Sequence, residues 1–269
     1  MDLTIRSPTN AEEGKKRLPA QFSEPVRPDL IKRAVEAIWS HERQPYSSDP
    51  YAGKKASAKL SRRRREYRGG YGHGISRVPR KILSRNGTQM YWVAANAPGT
   101  VKGRRAHPPV ASKNWVQKIN NKERKKAIRS ALAATVDKKF VLEHHHVLPK
   151  EYPFIISNSF EALTKTSEVK KALNSLGLQQ ELERSSRKKI RAGKGKTRGR
   201  KYRSATGPLI VVGTKDCNLL KAAANLAGID VAEVSRLNAS LLAPGAVPGR
   251  LTLYTANAID KIAKEKLFV

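Results

Sequence analysis

The chain has 269 residues and carries 54 lysine and arginine residues against 22 acids, a formal net charge of +32. Such a charge makes a folded chain repel itself unless an anionic partner neutralises it, and the candidates are nucleic acid, an anionic membrane surface or an acidic protein. No apolar run is long enough to span a membrane, and the N-terminal sequence MDLTIRSPTNAEEGKKR lacks the apolar region of a secretory signal. The single cysteine, Cys217, excludes an intramolecular disulfide. We therefore expect an intracellular protein that does not span a membrane.

The first predicted elements are helices. RPDLIKRAVEAIWSH at 27–41 places its apolar residues on one helical face, with Asp29 in the first turn. NNKERKKAIRSALAATV at 120–136 has the same periodicity. A short apolar run, PFIIS at 153–157, precedes TSEVKKALNSLGL, which predicts a helix ended by Gly177.

The C-terminal part adds predicted strands. PLIVVGTKDCNLLKAAANLAG at 208–228 indicates a buried strand, a turn and a helix ended by Gly228, and IDVAEV and RLTLY are two further strand candidates. Strands alternate with helices, and 209–212 is apolar without alternation, as in parallel sheets buried on both faces. We predict an α/β domain, with a mostly parallel sheet covered by helices on both faces, formed by residues 1–50, 119–183 and 204–269.

Two basic segments interrupt this domain. Residues 51–118 contain 17 cations and one acid, Glu66, and residues 184–203 contain 11 cations and no acid, so together they hold 27 of the 32 net charges. The first segment has eight glycines and few large aliphatic residues, and no helical or strand period persists in it. We predict a long extended loop that needs a polyanion to order it, and a second basic extension.

The composition of these segments favours structured RNA, and not a membrane, as the partner. Arginine outnumbers lysine at 51–118, and guanidinium groups suit phosphates and stacked bases. Aromatic and histidine side chains that could stack on unpaired bases lie between the cations: Tyr67, Tyr71, His73, Tyr91, Trp92 and His107. A solvated linker, or a nuclear-localisation signal at 62–65, accounts for much less of the pattern.

The predicted RNA-binding residues follow from this composition. In the first segment they are Lys54, Lys55, Arg62, Arg63, Arg64, Arg65, Arg68, Tyr71, His73, Arg77, Arg80, Lys81, Arg85, Lys102, Arg104, Arg105, His107 and Lys113. In the second they are Lys188, Lys189, Arg191, Lys194, Lys196, Arg198, Arg200, Lys201 and Arg203.

Other chemistry has weak support in the sequence. Three consecutive histidines at 144–146 rarely meet one metal ion, so we expect a surface strand or turn there. GTKDCN follows a strand where open α/β sheets bind ligands, but it lacks a dinucleotide or P-loop pattern. Asp216 or Asn218 is predicted to cap the next helix, and Cys217 to be a small buried side chain. GKGKTRGR is only loosely similar to a phosphate loop. We predict no catalytic residue, cofactor or metal.

Seven blocks of the chain, in order, resemble the large-subunit ribosomal protein L-four family, in its archaeal and eukaryotic branch. The blocks cover nearly the whole chain: VRPDLIKRAV, DPYAGKKASA, GRRAHPP, INNKERKKAIRSALAATV, AGKGKTRGRKYR, GPLIVVGTKDCNLLKAAANLAGIDV and LNASLLAPGAVPGRLTLYT.

The resemblance implies a structural protein of the large ribosomal subunit in the cytoplasm, without catalysis. It implies an α/β domain on the outer face of the subunit, and a loop at 51–118 that threads ribosomal RNA and reaches the peptide exit tunnel, with its tip within 72–105. Residues 184–203 correspond to a second RNA-binding extension. The implied partners are large-subunit ribosomal RNA, neighbouring ribosomal proteins and the nascent peptide, and the implied roles are early subunit assembly and tunnel lining.

Two other classes remain as alternatives. An RNA-modifying enzyme, such as a methyltransferase with basic docking arms, would need a glycine-rich cofactor turn after its first strand. A chromatin-type DNA binder would carry a helix-turn-helix or a basic zipper. The sequence shows neither signal.

Overall fold

A six-stranded sheet organises most of the chain, which the computed structural model describes from Met1 to Val269. The strands are β1 (Asp2–Arg6), β2 (Glu12–Arg17), β3 (Arg80–Asn86), β4 (Gln89–Ala94), β5 (Ile155–Ile156), β6 (Lys188–Ile190), β7 (Tyr202–Ser204), β8 (Leu209–Val212), β9 (Asp230–Glu233) and β10 (Thr252–Thr255).

The helices lie mainly in the second half of the chain. They are α1 (Pro28–Glu42), α2 (Asn121–Val136), α3 (Lys138–Glu143), α4 (Thr166–Ser175), α5 (Gln179–Ser186), α6 (Asn218–Ala223), α7 (Ala239–Leu242) and α8 (Ala256–Lys264). None of these helices is long and apolar enough to span a membrane.

The chain divides into two units. The body comprises Met1–Glu42 and Val116–Val269, and the basic unit comprises Arg43–Trp115. The body contains the six-stranded sheet and the β6–β7 hairpin, whereas the basic unit contains the β3–β4 hairpin.

The six-stranded sheet is mostly parallel. Its strand order is β2-β1-β5-β10-β8-β9, and only the edge pair β1–β2 is antiparallel. The sequence prediction of an α/β fold with a mostly parallel sheet is therefore confirmed.

Alternate residues of β8 supply the two halves of the core. Leu209 and Val211 join a cluster with α1, α2 and α8, whereas Ile210 and Val212 join a cluster with α4 and α6 on the other face. Successive side chains of a strand point to opposite faces, so an unbroken apolar strand needs cover on both sides. The helices provide that cover.

The predicted helices and strands are present, with one shift. Helix α4 ends before Gly177, whose φ of +79° is the left-handed conformation expected there. The helix after β8 ends at Ala223, five residues before the predicted stop at Gly228. Gly228 instead lets the chain pass close to Ser185 before β9, where a Cβ would collide with the serine side chain.

The expectation that no strand period persists at 51–118 is wrong. Strands β3 and β4 form an antiparallel hairpin in which Arg80 pairs with Ala94 at the open end and Asn86 pairs with Gln89 at the closed end. The loop between them has two residues, Gly87 and Thr88. Gly87 has a φ of +57°, which suits the first loop residue of a tight hairpin. Leu83 is an extra residue in β3, because Ile82 pairs with Trp92 and Ser84 with Tyr91.

Candidate nucleic-acid interface

Trp115 holds the two ends of the basic unit together. The Arg43 guanidinium lies 4.0 Å and the Lys113 ammonium 4.3 Å from its ring centroid. The Tyr46 ring stacks on the Trp115 ring with the centroids 5.8 Å apart and the planes 21° apart. Cation–π contacts and ring stacking of this kind stabilise by about 0.5–1.5 kcal/mol each. Arg43, Tyr46 and Trp115 were not predicted. Cations and aromatic residues alternate in the sequence around them, and this alternation is the signal that could have found them.

The two arms of the basic unit then run side by side. The Ser48 N–H donates to the Pro109 carbonyl over 3.4 Å. Gly53 has a φ of +74°, and a Cβ there would collide with the backbone of Arg104. Only glycine fits this crossing without strain, because it combines a left-handed conformation with close backbone contact.

The arms lead into the β3–β4 hairpin. Lys59 and Arg80 exchange two backbone hydrogen bonds, of 3.3 and 3.1 Å, so the first arm pairs with the start of β3. Gly69 lies beside Ser61 in a second bridge, and its N–H donates to the Glu66 carbonyl over 2.9 Å. The basic unit therefore has internal backbone pairing despite its charge.

Guanidinium groups lie over three further aromatic rings of the basic unit. The pairs are Arg68 and Arg85 with Tyr67, at 5.6 and 5.5 Å, Arg77 with Tyr71 at 4.9 Å, and Arg80 with Trp92 at 5.5 Å. These contacts pre-order arginine side chains that would otherwise lose rotamer freedom on binding an anion.

The predicted cations of the basic unit face solvent. All are exposed except Arg80 and Lys81, which are half-buried at the start of β3. The only ion pair in the unit joins Lys55 and Asp49 at 3.0 Å. Nearly all of the positive charge therefore lacks a protein counterion.

The predicted uncharged contacts are also accessible. Tyr71, His73 and His107 are exposed. His73 lines a surface pocket of about 340 Å³ together with Tyr67 and Trp92, two rings that the sequence analysis names as possible stacking partners of unpaired bases. The structure thus brings aromatic residues from two separate stretches of sequence to one place.

The second basic segment forms a short exposed hairpin. Strands β6 and β7 pair Lys188 with Ser204 and Lys189 with Arg203, and every residue of both strands is exposed. The Arg191 side chain donates to the carbonyl oxygens of Arg200 and Tyr202 over 3.2 and 3.4 Å. The predicted cations of this hairpin form no ion pair. Like charges that face each other across a strand pair destabilise it, so an anion would stabilise this hairpin.

Arg184 differs from the rest of this segment. Its guanidinium donates to the Glu181 carboxylate over 2.6 Å and to the Thr206 carbonyl over 2.6 Å. Glu181 is fully buried and also accepts from His146 Nδ1 and Val147 N, over 2.6 and 2.9 Å. Burial opposes ionisation of Glu181, but these hydrogen bonds lower its pKa to about 2. Arg184 therefore stabilises the body.

The triple histidine takes a different form from the predicted surface strand or turn. The chain does turn after α3, but His146 is 3% exposed and bound to Glu181. Burial lowers the pKa of His146, although Glu181 counteracts this. His144 stacks on His146 with the ring centroids 5.1 Å apart. No group of three or more acidic, histidine or cysteine side chains is placed to hold a metal ion.

The crevice between β8 and β10, where open α/β sheets bind ligands, is filled by the protein itself. Glu161 Oε1 accepts hydrogen bonds from Gly213 N over 3.0 Å and from Thr255 Oγ1 over 2.6 Å. The Cys217 thiol is buried, as predicted, and donates to the Glu161 carbonyl. The predicted cap by Asp216 or Asn218 is wrong, because Cys217 occupies the cap position and no side chain caps α6.

The body has one further group of cations. A cavity of about 830 Å³ between α2 and the C-terminal residues is lined by Glu24, Arg129 and four lysines, here called the pocket cations: Lys122, Lys125, Lys126 and Lys266. Several of these groups have partners in the chain. Lys125 donates to the Val269 carbonyl over 2.7 Å, and Arg129 and Lys126 pair with Glu24 at 3.0 and 3.6 Å.

Comparison with known proteins identifies the family of this chain. The profile of the ribosomal protein L4/L1 family matches residues 16–265. The large ribosomal subunit protein uL4 of Nanoarchaeum equitans is 49% identical over 268 residues, with 100% of each chain covered. The uL4 protein of Archaeoglobus fulgidus is 43% identical over 248 residues, with 92% of each chain covered. The uL4 protein of Halobacterium salinarum is 41% identical over 267 residues, with 98% of this chain and 100% of the relative covered. The protein therefore belongs to the ribosomal protein L4/L1 family, and it is a ribosomal protein of the cytoplasm, not an enzyme.

Proposed function

We propose that this protein binds large-subunit ribosomal RNA through the basic unit and the β6–β7 hairpin, and that it contacts neighbouring proteins of the subunit through its body. Its contribution is structural. The two basic segments neutralise phosphates where RNA helices crowd together, and this supports early assembly of the subunit.

The observation that carries the proposal is the lack of counterions in the basic segments. Residues 51–118 and 184–203 hold 27 of the 32 net charges. Their exposed cations share one ion pair with an acid outside those segments, Lys55 with Asp49, and the body retains Arg184 for its own stability. RNA supplies the missing counterions, and release of condensed cations from the RNA drives the binding.

We further propose that the β3–β4 hairpin forms the tip of the loop and lines the peptide exit tunnel. The hairpin exposes Leu83 and Tyr91, at 54% and 65%, next to exposed polar residues. This mixed surface suits passing nascent peptide better than it suits a phosphate backbone. The cations of the arms would anchor the loop, and the tip would meet the tunnel.

Two variants test this division of labour. In the arm variant, the cations at 62–65 and 104–105 are replaced by alanine. In the tip variant, Leu83 and Tyr91, the exposed apolar residues of the hairpin, are replaced by serine. We expect sucrose gradients to show poor incorporation of the arm variant into large subunits and normal incorporation of the tip variant. The tip variant should instead change chemical probing or nascent-chain arrest in the tunnel.

The opposite pattern would overturn the proposal. If the tip variant fails to enter subunits while the arm variant enters normally, the hairpin is the anchor and the arms are passive. If neither variant changes incorporation or tunnel probing, the basic unit has neither proposed role.

A further inference from the structure

The lone acid of the most basic segment, Glu66, lies at a pocket and has no basic partner. Residues 51–118 contain 17 cations, yet no ion pair within 4.0 Å includes Glu66. The Ser61 hydroxyl, a neutral group, donates to one oxygen of its carboxylate. The carboxylate therefore keeps acceptor capacity that no basic group of the protein uses.

The pocket next to Glu66 has aromatic walls. Its volume of about 340 Å³ is at the low end for small-ligand sites, and Tyr67 and Trp92 supply ring surface. Met90 and His73 complete an apolar and partly polar lining. Aromatic walls of this kind bind unpaired nucleobases by stacking.

Cations stand around this pocket. Arg68 lines it, and Arg85 lies 5.5 Å from the Tyr67 ring centroid. Arg80 lies 5.5 Å from the Trp92 ring centroid. A base held in the pocket would therefore have guanidinium groups close to its own phosphate and those of its neighbours.

We infer that this pocket binds one unpaired guanine base of ribosomal RNA, stacked on Trp92 and Tyr67, with Glu66 accepting hydrogen bonds from its Watson–Crick edge. This inference rests on the proposed function and identifies the base that the basic unit takes.

The choice of guanine follows from the donor pattern. A carboxylate only accepts hydrogen bonds, and it can accept two in parallel. Guanine presents two adjacent donors, N1–H and the N2 amino group. Adenine and cytosine place an acceptor nitrogen beside their amino donor, and uracil has a single donor between two carbonyl oxygens. The hydrogen bond from Ser61 leaves lone pairs on both Glu66 oxygens for this contact.

The test measures binding of the full chain to four short oligouridines with one central guanosine, adenosine, cytidine or inosine, by fluorescence anisotropy at constant salt. We expect the wild-type protein to prefer guanosine over adenosine and cytidine by at least about fivefold, because a bidentate contact to a base edge discriminates by that much or more. Inosine, which lacks the amino group, should bind with intermediate affinity.

Two substitutions and a matched control locate the effect. Glu66→Gln keeps the hydrogen bond to Ser61 but presents one donor and one acceptor, so it should abolish the guanosine preference and favour adenosine or cytidine. Trp92→Ala should weaken all four oligonucleotides by roughly fivefold or more, the cost of losing one stacked base. Tyr91→Ala is the control, because Tyr91 neighbours Trp92, is exposed and does not line the pocket. It should leave the guanosine preference intact.

The outcomes separate this inference from the proposed function. If wild-type protein binds all four oligonucleotides equally, or if Glu66→Gln tightens all four by the same factor, Glu66 acts only as a charge and the guanine site is refuted while RNA binding stands. If wild-type protein binds none of them at moderate salt, the proposed function of the basic unit fails as well.

Discussion

Arginine residues of the body and of the basic unit have opposite surroundings. Arg250 in the body is 1% exposed, and its guanidinium donates to the Gly207 and Leu241 carbonyls over 2.9 and 3.0 Å and pairs with Asp230. In the basic unit, Arg62 to Arg65 are all exposed and have no acidic partner. Arginine therefore stabilises the fold of the body, whereas in the basic unit its charge is free to bind an external partner.

This contrast shows why net charge alone is a poor guide to an RNA surface. Arg184 lies within a run of 11 cations but belongs to the body, because Glu181 binds it. Removing a partnered cation should change stability, whereas removing an unpartnered cation should change RNA affinity. Four predictions compare the two units in order of decreasing effect on stability, and the first, second and fourth of them test this rule.

Arg250→Ala should cause the largest loss, about 3–5 kcal/mol in the free energy of unfolding of the body. The substitution leaves the buried Gly207 carbonyl and the half-buried Leu241 carbonyl without this donor, and it removes the packing of a side chain that is 1% exposed. Urea denaturation followed by circular dichroism measures the change. Arg203→Ala, which removes an exposed cation from the β6–β7 hairpin, is the control and should stay within about 0.5 kcal/mol of wild type. Equal losses in the two variants would contradict the rule.

Glu181→Gln should destabilise the body by about 2–3 kcal/mol at neutral pH. The pKa of Glu181 is about 2 in the folded protein, below the ordinary value of 4.5, because Arg184, His146 and the Val147 N–H bind its ionised form despite its burial. A lowered carboxyl pKa stabilises the fold above the unfolded pKa, and the contribution is lost as pH falls through the folded pKa.

The pH dependence of stability tests whether the ionised carboxylate of Glu181 causes this stabilisation. The stability difference between wild type and Glu181→Gln should be full above pH 5 and should shrink as the pH falls from about 4.5 towards 2. Denaturant midpoints between pH 2.5 and 7 measure it. A difference that stays constant across this range would show that packing, and not the charge of Glu181, stabilises the contact.

Gly53→Ala should loosen the basic unit by about 1–3 kcal/mol and leave the body unchanged. The new Cβ meets the Arg104 backbone in a left-handed conformation, so the crossing of the arms must open. Limited proteolysis should then cleave within 43–115 faster, with the thermal transition of the body unaltered. Gly99→Ala is the control, because Gly99 has a φ of +83° but open space around it, and its effect should be smaller.

The sequence predicted the body better than the sites. Local periodicity reports which residues are buried. The uninterrupted apolar residues at 209–212 were therefore enough to predict a buried strand, and the helical spacing in α1, α2 and α4 was enough to predict the helices that cover the sheet. Helix α8 was missed although Thr255 caps it and its buried residues include Ile259 and Ile262, a signal that was present in the sequence.

Contacts between distant residues could not be predicted. Glu181 and His146 are 35 residues apart, and Glu161 meets Thr255 across 94. Their pairing depends on the order of the strands, which no local pattern contains. The β3–β4 hairpin was different: Gly87 between two runs with apolar residues is a hairpin signal, but the surrounding arginines made the segment resemble an unpaired loop.

The smallest effect on stability should come from replacing Lys194, Lys196, Arg198 and Arg200 by alanine. These side chains are exposed and unpaired, so the free energy of unfolding should change by no more than about 0.5 kcal/mol. Affinity for ribosomal RNA fragments should fall. The slope of log affinity against log salt should become shallower by roughly 3, since each lost phosphate contact removes about 0.7–0.9 from it.

A second variant with the same change in net charge sharpens this prediction. Replacing four partnered cations of the body by alanine also removes four charges, and each of these side chains has a hydrogen-bond or ion-pair partner in the body: Lys16, Lys125, Lys126 and Arg129. That variant should lose stability and keep a salt slope close to wild type. Titrations at several salt concentrations, alongside urea denaturation, compare the two. If both variants flatten the slope equally, total charge governs RNA binding, and the placement of unpaired cations in the β6–β7 hairpin has no separate role.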